Sequence, residues 1–120
     1  MGFLRSFGYA LEGIFHVLRT QRNMKVHLAA TLLVAAVGLF LRLSNAEWLS
    51  VSFAIFFVLA AECLNTAIEA IVDLVSPQHH PLAKIAKDCA AGAVLLAAMY
   101  SLVVAYFVFG PKLMKILTAS

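Results

Sequence analysis

The sequence predicts an all-α integral membrane protein, in which an N-terminal amphipathic surface helix precedes three transmembrane helices. Two observations support this fold class. Hydrophobic residues make up 63% and charged residues 12% of the 120 residues, against roughly 45–50% and 25% in soluble domains. Short polar breaks separate three long apolar runs, and crossing a bilayer takes roughly 17–25 residues. The chain length predicts a single domain, residues 1–120.

The predicted surface helix covers residues 3–20. Its apolar residues recur at helical spacing: Phe3, Phe7, Ala10, Leu11, Ile14 and Leu18. Charged residues interrupt this pattern, so we do not expect a cleavable signal peptide. An amphipathic helix of this kind tends to lie in the membrane interface, and a short soluble cap on the helix bundle is the alternative.

The predicted spans cover about residues 26–43, 47–75 and 82–109. A turn at residues 44–46 and a proline-bounded loop at residues 76–83 separate them, and Gly110-Pro111 is expected to end the third. Lys and Arg residues cluster before the first span and after the second loop, which predicts that both regions are cytoplasmic. Glu69 and Asp73 are therefore expected at the cytoplasmic end, where ATP is available.

Four polar residues of the second span share one helix face, because their spacing is 3, 4 and 4: Glu62, Asn65, Glu69 and Asp73. Ionisable residues inside a span are costly and therefore functional candidates. Asn65 and Asp73 could instead link helices to one another. Two carboxylates beside an amide are harder to explain in that way, since they need a cation, a proton or basic partners.

Basic partners begin the third span. Lys87 lies beside Asp88, which is expected to be nearly buried, whereas Lys84 is expected to extend to the interface. Carboxylates, an amide and a lysine suit Mg²⁺-nucleotide chemistry, although the sequence contains no phosphate-binding Gly-rich loop. Cys63 and Cys89 lie in apolar runs and predict no disulfide. The four histidines lack a convincing zinc-ligand pattern.

The run ECLNTAIEAIVD, residues 62–73, closely resembles the signature of the prokaryotic diacylglycerol kinase family. The runs HPLAKIAKD at 80–88 and AGAV at 91–94 resemble its second conserved block. This resemblance implies a surface helix plus three transmembrane helices, a homotrimer with active sites shared between subunits, and a location in the bacterial plasma membrane. It also implies ATP as phosphoryl donor, Mg²⁺ as cofactor and a membrane lipid alcohol as acceptor.

The resemblance also implies roles for individual residues. Glu62 matches the general base, Glu69 a carboxylate that holds the ATP-bound Mg²⁺, and Asn65 and Asp73 supporting polar groups. The implied nucleotide contacts are Tyr9, Gln21, Glu69, Gln78, His79, His80, Lys87 and Asp88. Gln21 matches a second metal ligand that is usually glutamate in the family, so it brings no charge to the metal, and Glu12 is a candidate to compensate.

The same motifs look like the Gram-positive branch of the family, which implies undecaprenol as the preferred acceptor and diacylglycerol as the alternative. A small proton-coupled multidrug transporter also fits the chain length and an intramembrane glutamate. A structural subunit whose polar stripe binds a partner helix is a third interpretation. A transporter would not need the lysine–aspartate pair at residues 87–88 or an asparagine between two glutamates, and ATP binding would separate the kinase from both alternatives.

Overall fold

The computed structural model describes residues 2–119, which form four helices: α1 (Phe3–Thr20), α2 (Arg22–Leu41), α3 (Asn45–Val75) and α4 (Pro81–Thr118). Helices α2, α3 and α4 are long and apolar enough to cross a membrane. The all-α class with three candidate spans is therefore confirmed. Cys63 and Cys89 are free thiols, as predicted.

A tight connection joins α2 to α3. Arg42 ends α2 in the left-handed conformation, with φ of 57°. Ser44 caps α3: its Oγ accepts from the Glu47 N–H at 3.2 Å, and Glu47 Oε1 accepts from the Ser44 N–H at 2.9 Å. This reciprocal cap starts the helix at Asn45. The prediction of a turn through residue 46 is therefore wrong by two residues.

The α2–α3 hairpin closes around a glycine. Gly38 is buried, and a Cβ atom at this position would lie 2.6 Å from Trp48 Cη2 and 3.0 Å from Leu43 Cδ1. The missing side chain thus lets the indole of α3 pack directly on the backbone of α2. This contact fixes how far the two helices are shifted along each other.

Helix α4 does not end at Gly110-Pro111, as the sequence pattern predicted, but continues to Thr118. A proline inside a helix removes one backbone hydrogen bond and crowds the residue before it. Gly110 has no Cβ, so that crowding is relieved. Beyond it, Lys112 Nζ lies 3.3 Å from Glu47 Oε1 and joins the extended end of α4 to the start of α3.

The core lies between α3 and α4, the pair with the most extensive contact. Its larger cluster is near the α2–α3 turn and contains Leu43, Val51, Ala54, Val104, Val108 and Phe109. Many large apolar side chains point outward instead; Phe40 is 80% and Leu74 83% exposed. An outer surface this apolar is typical of a chain whose surroundings are lipid or further subunits.

Helix α1 packs beside the opposite half of the bundle. Val17 is its buried residue, and the helix contacts both α2 and α3. A groove between α1 and α3 is lined by Ala10 and Ile14 on one side and by Cys63 and Ala67 on the other. Helix α1 therefore covers the part of α3 that carries the polar residues.

Candidate active site

The four polar residues of α3 form a stripe that passes from buried to exposed along the helix. The side chain of Glu62 is 2% exposed and that of Asp73 is 66% exposed. Asn65 and Glu69, between them, are half-buried. Because α3 is unbroken from Asn45 to Val75, these residues share one face. The stripe thus begins inside the protomer and ends where solvent has access.

Glu62 meets α2. His27 Nε2 lies 3.2 Å from Glu62 Oε1, within ion-pair distance. Oε1 nevertheless accepts no hydrogen bond from residues 2–119. Thr66 Oγ1 donates to the backbone carbonyl of Glu62 at 2.9 Å, which leaves the carboxylate to His27. The basic partners were predicted at the start of the third span, but the residue that faces the Glu62 carboxylate is His27 of α2.

Asn65 and Glu69 form the next level of the stripe. Asn65 Nδ2 donates to Glu69 Oε1 at 3.2 Å, which holds the carboxylate against the helix. Asn65 Oδ1 is buried and has no hydrogen-bond partner within the described part of the chain. Buried polar atoms are nearly always paired. An unpaired carbonyl oxygen beside a carboxylate is a suitable place for a cation or a hydroxyl group.

Two lysine–aspartate pairs join the exposed end of the stripe to α4. Lys87 Nζ donates to Asp73 Oδ1 at 2.6 Å, across the two helices. Lys84 Nζ donates to Asp88 Oδ2 at 2.6 Å, along α4. The side chain of Asp88 is 63% exposed. The expectation that Asp88 is nearly buried is therefore wrong: the residue is exposed beside the α3–α4 loop, where it pairs with Lys84.

The loop between α3 and α4 completes a cleft of about 380 Å³. Its lining includes the predicted nucleotide contacts Gln78, His79, His80, Lys87 and Asp88, together with Asp73 and Lys84. His80 also caps α4, because its Nδ1 accepts from the Leu82 N–H at 3.1 Å. In this lining Asp73 and Asp88 balance the charges of Lys87 and Lys84, and the start of a long helix adds the positive end of a helix dipole.

Tyr9 and Gln21 lie apart from that cleft. Tyr9 lines the α1–α3 groove and a neighbouring groove that contains Glu12. Gln21 separates α1 from α2 and is half-buried; its backbone N–H donates to Val17 O at 2.9 Å. A single protomer therefore gathers the loop residues, Lys87 and Asp88 into one cleft, and it distributes the other predicted site residues along α1 and α3.

The described residues provide only some of the ligands that a metal ion needs. Residues 2–119 contain no group of three or more His, Cys, Asp or Glu residues that could hold a metal ion. Mg²⁺ usually takes one or two carboxylates and fills its remaining positions with water and phosphate oxygens. Glu69, held by Asn65, offers such a carboxylate. The donors present thus suit a metal that arrives with a nucleotide.

His27 was missed by the sequence reasoning, which grouped it with the unassigned histidines. The distance of each residue from the α2–α3 turn, measured along its helix, could have identified this partner of Glu62. His27 lies 14 residues before the end of α2 and Glu62 lies 17 residues after the start of α3. At 1.5 Å per residue these distances from the turn are about 21 and 26 Å. A buried carboxylate and an imidazole at similar depth on neighbouring antiparallel helices are expected partners.

Comparison with known proteins gives the chain its family. The family model for prokaryotic diacylglycerol kinase matches residues 8–109. The chain is 45% identical over 111 residues to the undecaprenol kinase of Bacillus subtilis, covering 92% of this chain and 90% of that protein. It is 40% identical over 115 residues to a diacylglycerol kinase of Synechocystis, covering 95% and 66%. It is 26% identical over 100 residues to the diacylglycerol kinase of Escherichia coli K12, covering 83% and 82%.

These matches extend over the polar stripe, the loop cleft and most of the three candidate spans. They favour the kinase over the transporter and scaffold alternatives, and they confirm the resemblance that the motifs at residues 62–73 and 80–94 indicated. The chain belongs to the prokaryotic diacylglycerol kinase family and is a membrane lipid kinase.

Proposed function

We propose that this protein transfers the γ-phosphoryl group of ATP to undecaprenol and produces undecaprenyl phosphate. The observation that carries this choice of lipid is the 45% identity, over nearly the full length of both chains, to a protein named undecaprenol kinase. Diacylglycerol is the second candidate, supported by the 40% identity to a protein named diacylglycerol kinase. Both acceptors present a small alcohol head group at the membrane surface.

In the proposed reaction the hydroxyl oxygen of the lipid attacks the γ-phosphorus, and the bond from that phosphorus to the ADP oxygen breaks. Glu62 takes the hydroxyl proton, which is the role its carboxylate can play in a site shielded from water. Asn65 and Asp73 support this site. Asn65 keeps one oxygen of Glu69 occupied, at 3.2 Å, and so orients the remaining oxygen outward.

The residues of the loop cleft bind ATP, the phosphoryl donor. Lys87 approaches phosphate as a compact charge, in competition with its present partner Asp73 at 2.6 Å. Asp88 contacts the nucleotide, and Tyr9 contacts it from α1. Three residues of the loop also contact it: Gln78, His79 and His80. Glu69 and Gln21 would hold Mg²⁺. The chemistry supplied by Mg²⁺ when bound is neutralisation of the phosphate charge.

A homotrimer with shared sites accounts for two features of the protomer. The predicted site residues lie in more than one groove, and many apolar side chains are exposed. Neighbouring subunits would cover such surfaces and bring α1 of one protomer to the cleft of another. We place α1 as an amphipathic helix in the cytoplasmic interface of the plasma membrane, with the N-terminus and the loop cleft on the same side.

The proposal is tested by offering undecaprenol and diacylglycerol separately, in the same detergent, to the purified protein with Mg-ATP. Faster phosphorylation of undecaprenol is expected. A preference for diacylglycerol would reverse the choice of acceptor while keeping the mechanism. Glu62→Gln provides the control, because it should abolish turnover yet retain Mg-ATP binding. If Glu62→Gln still phosphorylates either lipid at the normal rate, Glu62 is not the base.

A further inference from the structure

The contact between His27 and Glu62 has no part in the proposed reaction as described so far. It joins two helices inside the bundle, with the Glu62 side chain 2% exposed and the His27 side chain 24% exposed. Among residues 2–119, His27 is the basic group within 4 Å of this carboxylate. The pair lies between the apolar core and the wetter end of the stripe.

A carboxylate in this position depends on its partner. Removing a charge from water is costly unless another charge or hydrogen bond compensates it. Oε1 of Glu62 accepts no hydrogen bond within the described residues. An imidazole Nε2 at 3.2 Å needs only a small rotation to donate to that oxygen. The neighbouring Thr66 hydroxyl is already committed to the Glu62 backbone carbonyl.

The surroundings of His27 make water a poor substitute. On its other side the imidazole lines a cavity of about 180 Å³ between α2, α3 and α4. The cavity is lined mainly by aliphatic side chains such as Val58 and Leu59, with Thr31 and Ser101 as its hydroxyl groups. The cavity is half open to its surroundings, but its aliphatic lining offers a water molecule few hydrogen-bond partners. If the imidazole were lost, the carboxylate would therefore face a space that offers little hydration.

We propose that His27 is a positioning residue for Glu62. Its Nε2–H donates to Oε1 after a small rotation of the ring, so that the second oxygen is presented to the lipid hydroxyl with a fixed orientation. This inference rests on the proposed function, in which Glu62 is the general base. In this role His27 acts through Glu62 and not on a reacting atom.

The test compares substitutions at residue 27 that differ in whether, and how far, the side chain can donate a hydrogen bond to Glu62. His27→Leu keeps the bulk and removes the donor. His27→Gln places an amide N–H at a reach similar to that of Nε2, whereas the amide of His27→Asn is one methylene too short. Thr31→Val is the matched control, because Thr31 lines the same cavity and its hydroxyl donates to the His27 carbonyl at 2.8 Å.

A general base contributes on the order of 10²–10⁴ to a rate, and loss of its orientation should remove part of that. We expect His27→Leu to lower kcat about 10- to 100-fold, with the KM values for Mg-ATP and lipid changed less than about twofold. His27→Gln should recover most of the lost kcat and His27→Asn should not. Thr31→Val should resemble the unmodified protein. A purely structural role would not make the Gln and Asn variants differ in kcat.

Two results would overturn the inference: a normal kcat in His27→Leu, or equal kcat values in His27→Gln and His27→Asn. If His27→Leu does not assemble, as judged by gel filtration and thermal midpoint, the Gln–Asn comparison decides alone. Glu62→Gln separates this inference from the proposed function. An inactive Glu62→Gln beside a fully active His27→Leu removes only the positioning role, whereas an active Glu62→Gln removes the base itself.

Discussion

Replacing Gly38 by alanine should destabilise the hairpin of α2 and α3. The added Cβ would lie 2.6 Å from Trp48 Cη2, 3.1 Å from Cζ2 and 3.0 Å from Leu43 Cδ1. All three distances are shorter than normal van der Waals contact, and neighbours on two sides limit how the methyl group can be accommodated. The indole must therefore move, or the two helices must separate.

The size of the effect depends on two opposing contributions. Overpacking a core typically costs about 1–3 kcal/mol. Alanine in place of glycine stabilises the interior of a helix by about 0.8–1 kcal/mol. The net loss is thus about 1 kcal/mol, and for a chain of this size that corresponds to a thermal midpoint lower by about 3–5 °C. Gly38→Val, with two more methyl groups, should lower the midpoint further.

Tryptophan fluorescence is the assay, because Trp48 is the single tryptophan of the chain and is itself the contacted group. The emission spectrum at 25 °C reports displacement of the indole, and a temperature ramp on the purified protein reports the midpoint. Gly8→Ala is the control: it makes the same substitution within α1, where the new Cβ would meet nothing within 4 Å apart from the backbone of its own helix. A Gly38→Ala protein with an unchanged spectrum and an unchanged or raised midpoint would refute the packing argument.

Three further predictions concern the catalytic residues. Glu69→Ala should sharply raise the Mg²⁺ concentration needed for half-maximal activity, since Glu69 is the proposed metal carboxylate; an unchanged Mg²⁺ titration would exclude that role. Gln21→Glu should lower the same Mg²⁺ requirement by adding a charged ligand, and a titration identical to that of the unmodified protein would place residue 21 outside the metal site. Lys87→Met should raise the KM for ATP about tenfold, the value of one charge-assisted hydrogen bond, whereas Lys84→Met should change it less than twofold. Equal effects of the two lysine substitutions on ATP kinetics would contradict the assignment of Lys87.

The helices and the polar stripe could be predicted because both depend on local spacing. Composition and run length indicate the spans, and helical spacing places Glu62, Asn65, Glu69 and Asp73 on one face. Helix ends were harder to predict. The start of α3 depends on a reciprocal cap between Ser44 and Glu47. The continuation of α4 past Pro111 depends on the residues after the proline as well as on the proline itself.

The partner of Glu62 could not be derived from periodicity. After His27, helix α2 is apolar on all sides apart from Thr31, so its sequence does not indicate which face meets α3. Pairing His27 with Glu62 requires the relative shift of the two helices, which the Gly38–Trp48 contact sets at the other end of the hairpin. Lys87 and Asp73 pair across α3 and α4 for a simpler reason. Each lies within two turns of the same short loop.

The unbroken course of α3 has a consequence for the choice of substrate. Glu62 and Asp73 are 11 positions apart on one helix that runs from Asn45 to Val75, so the buried and exposed ends of the stripe are separated by about 16 Å. In the proposed mechanism the alcohol enters from the bilayer and the nucleotide enters from water. The two substrates meet along α3, between the buried and exposed ends of the stripe. An acceptor is then selected by how far its hydroxyl group can reach along the stripe toward Glu62. In this mechanism alcohols with small head groups would reach the level of Glu62, whereas a phospholipid with a bulky, charged head group would stay nearer the exposed end of the stripe.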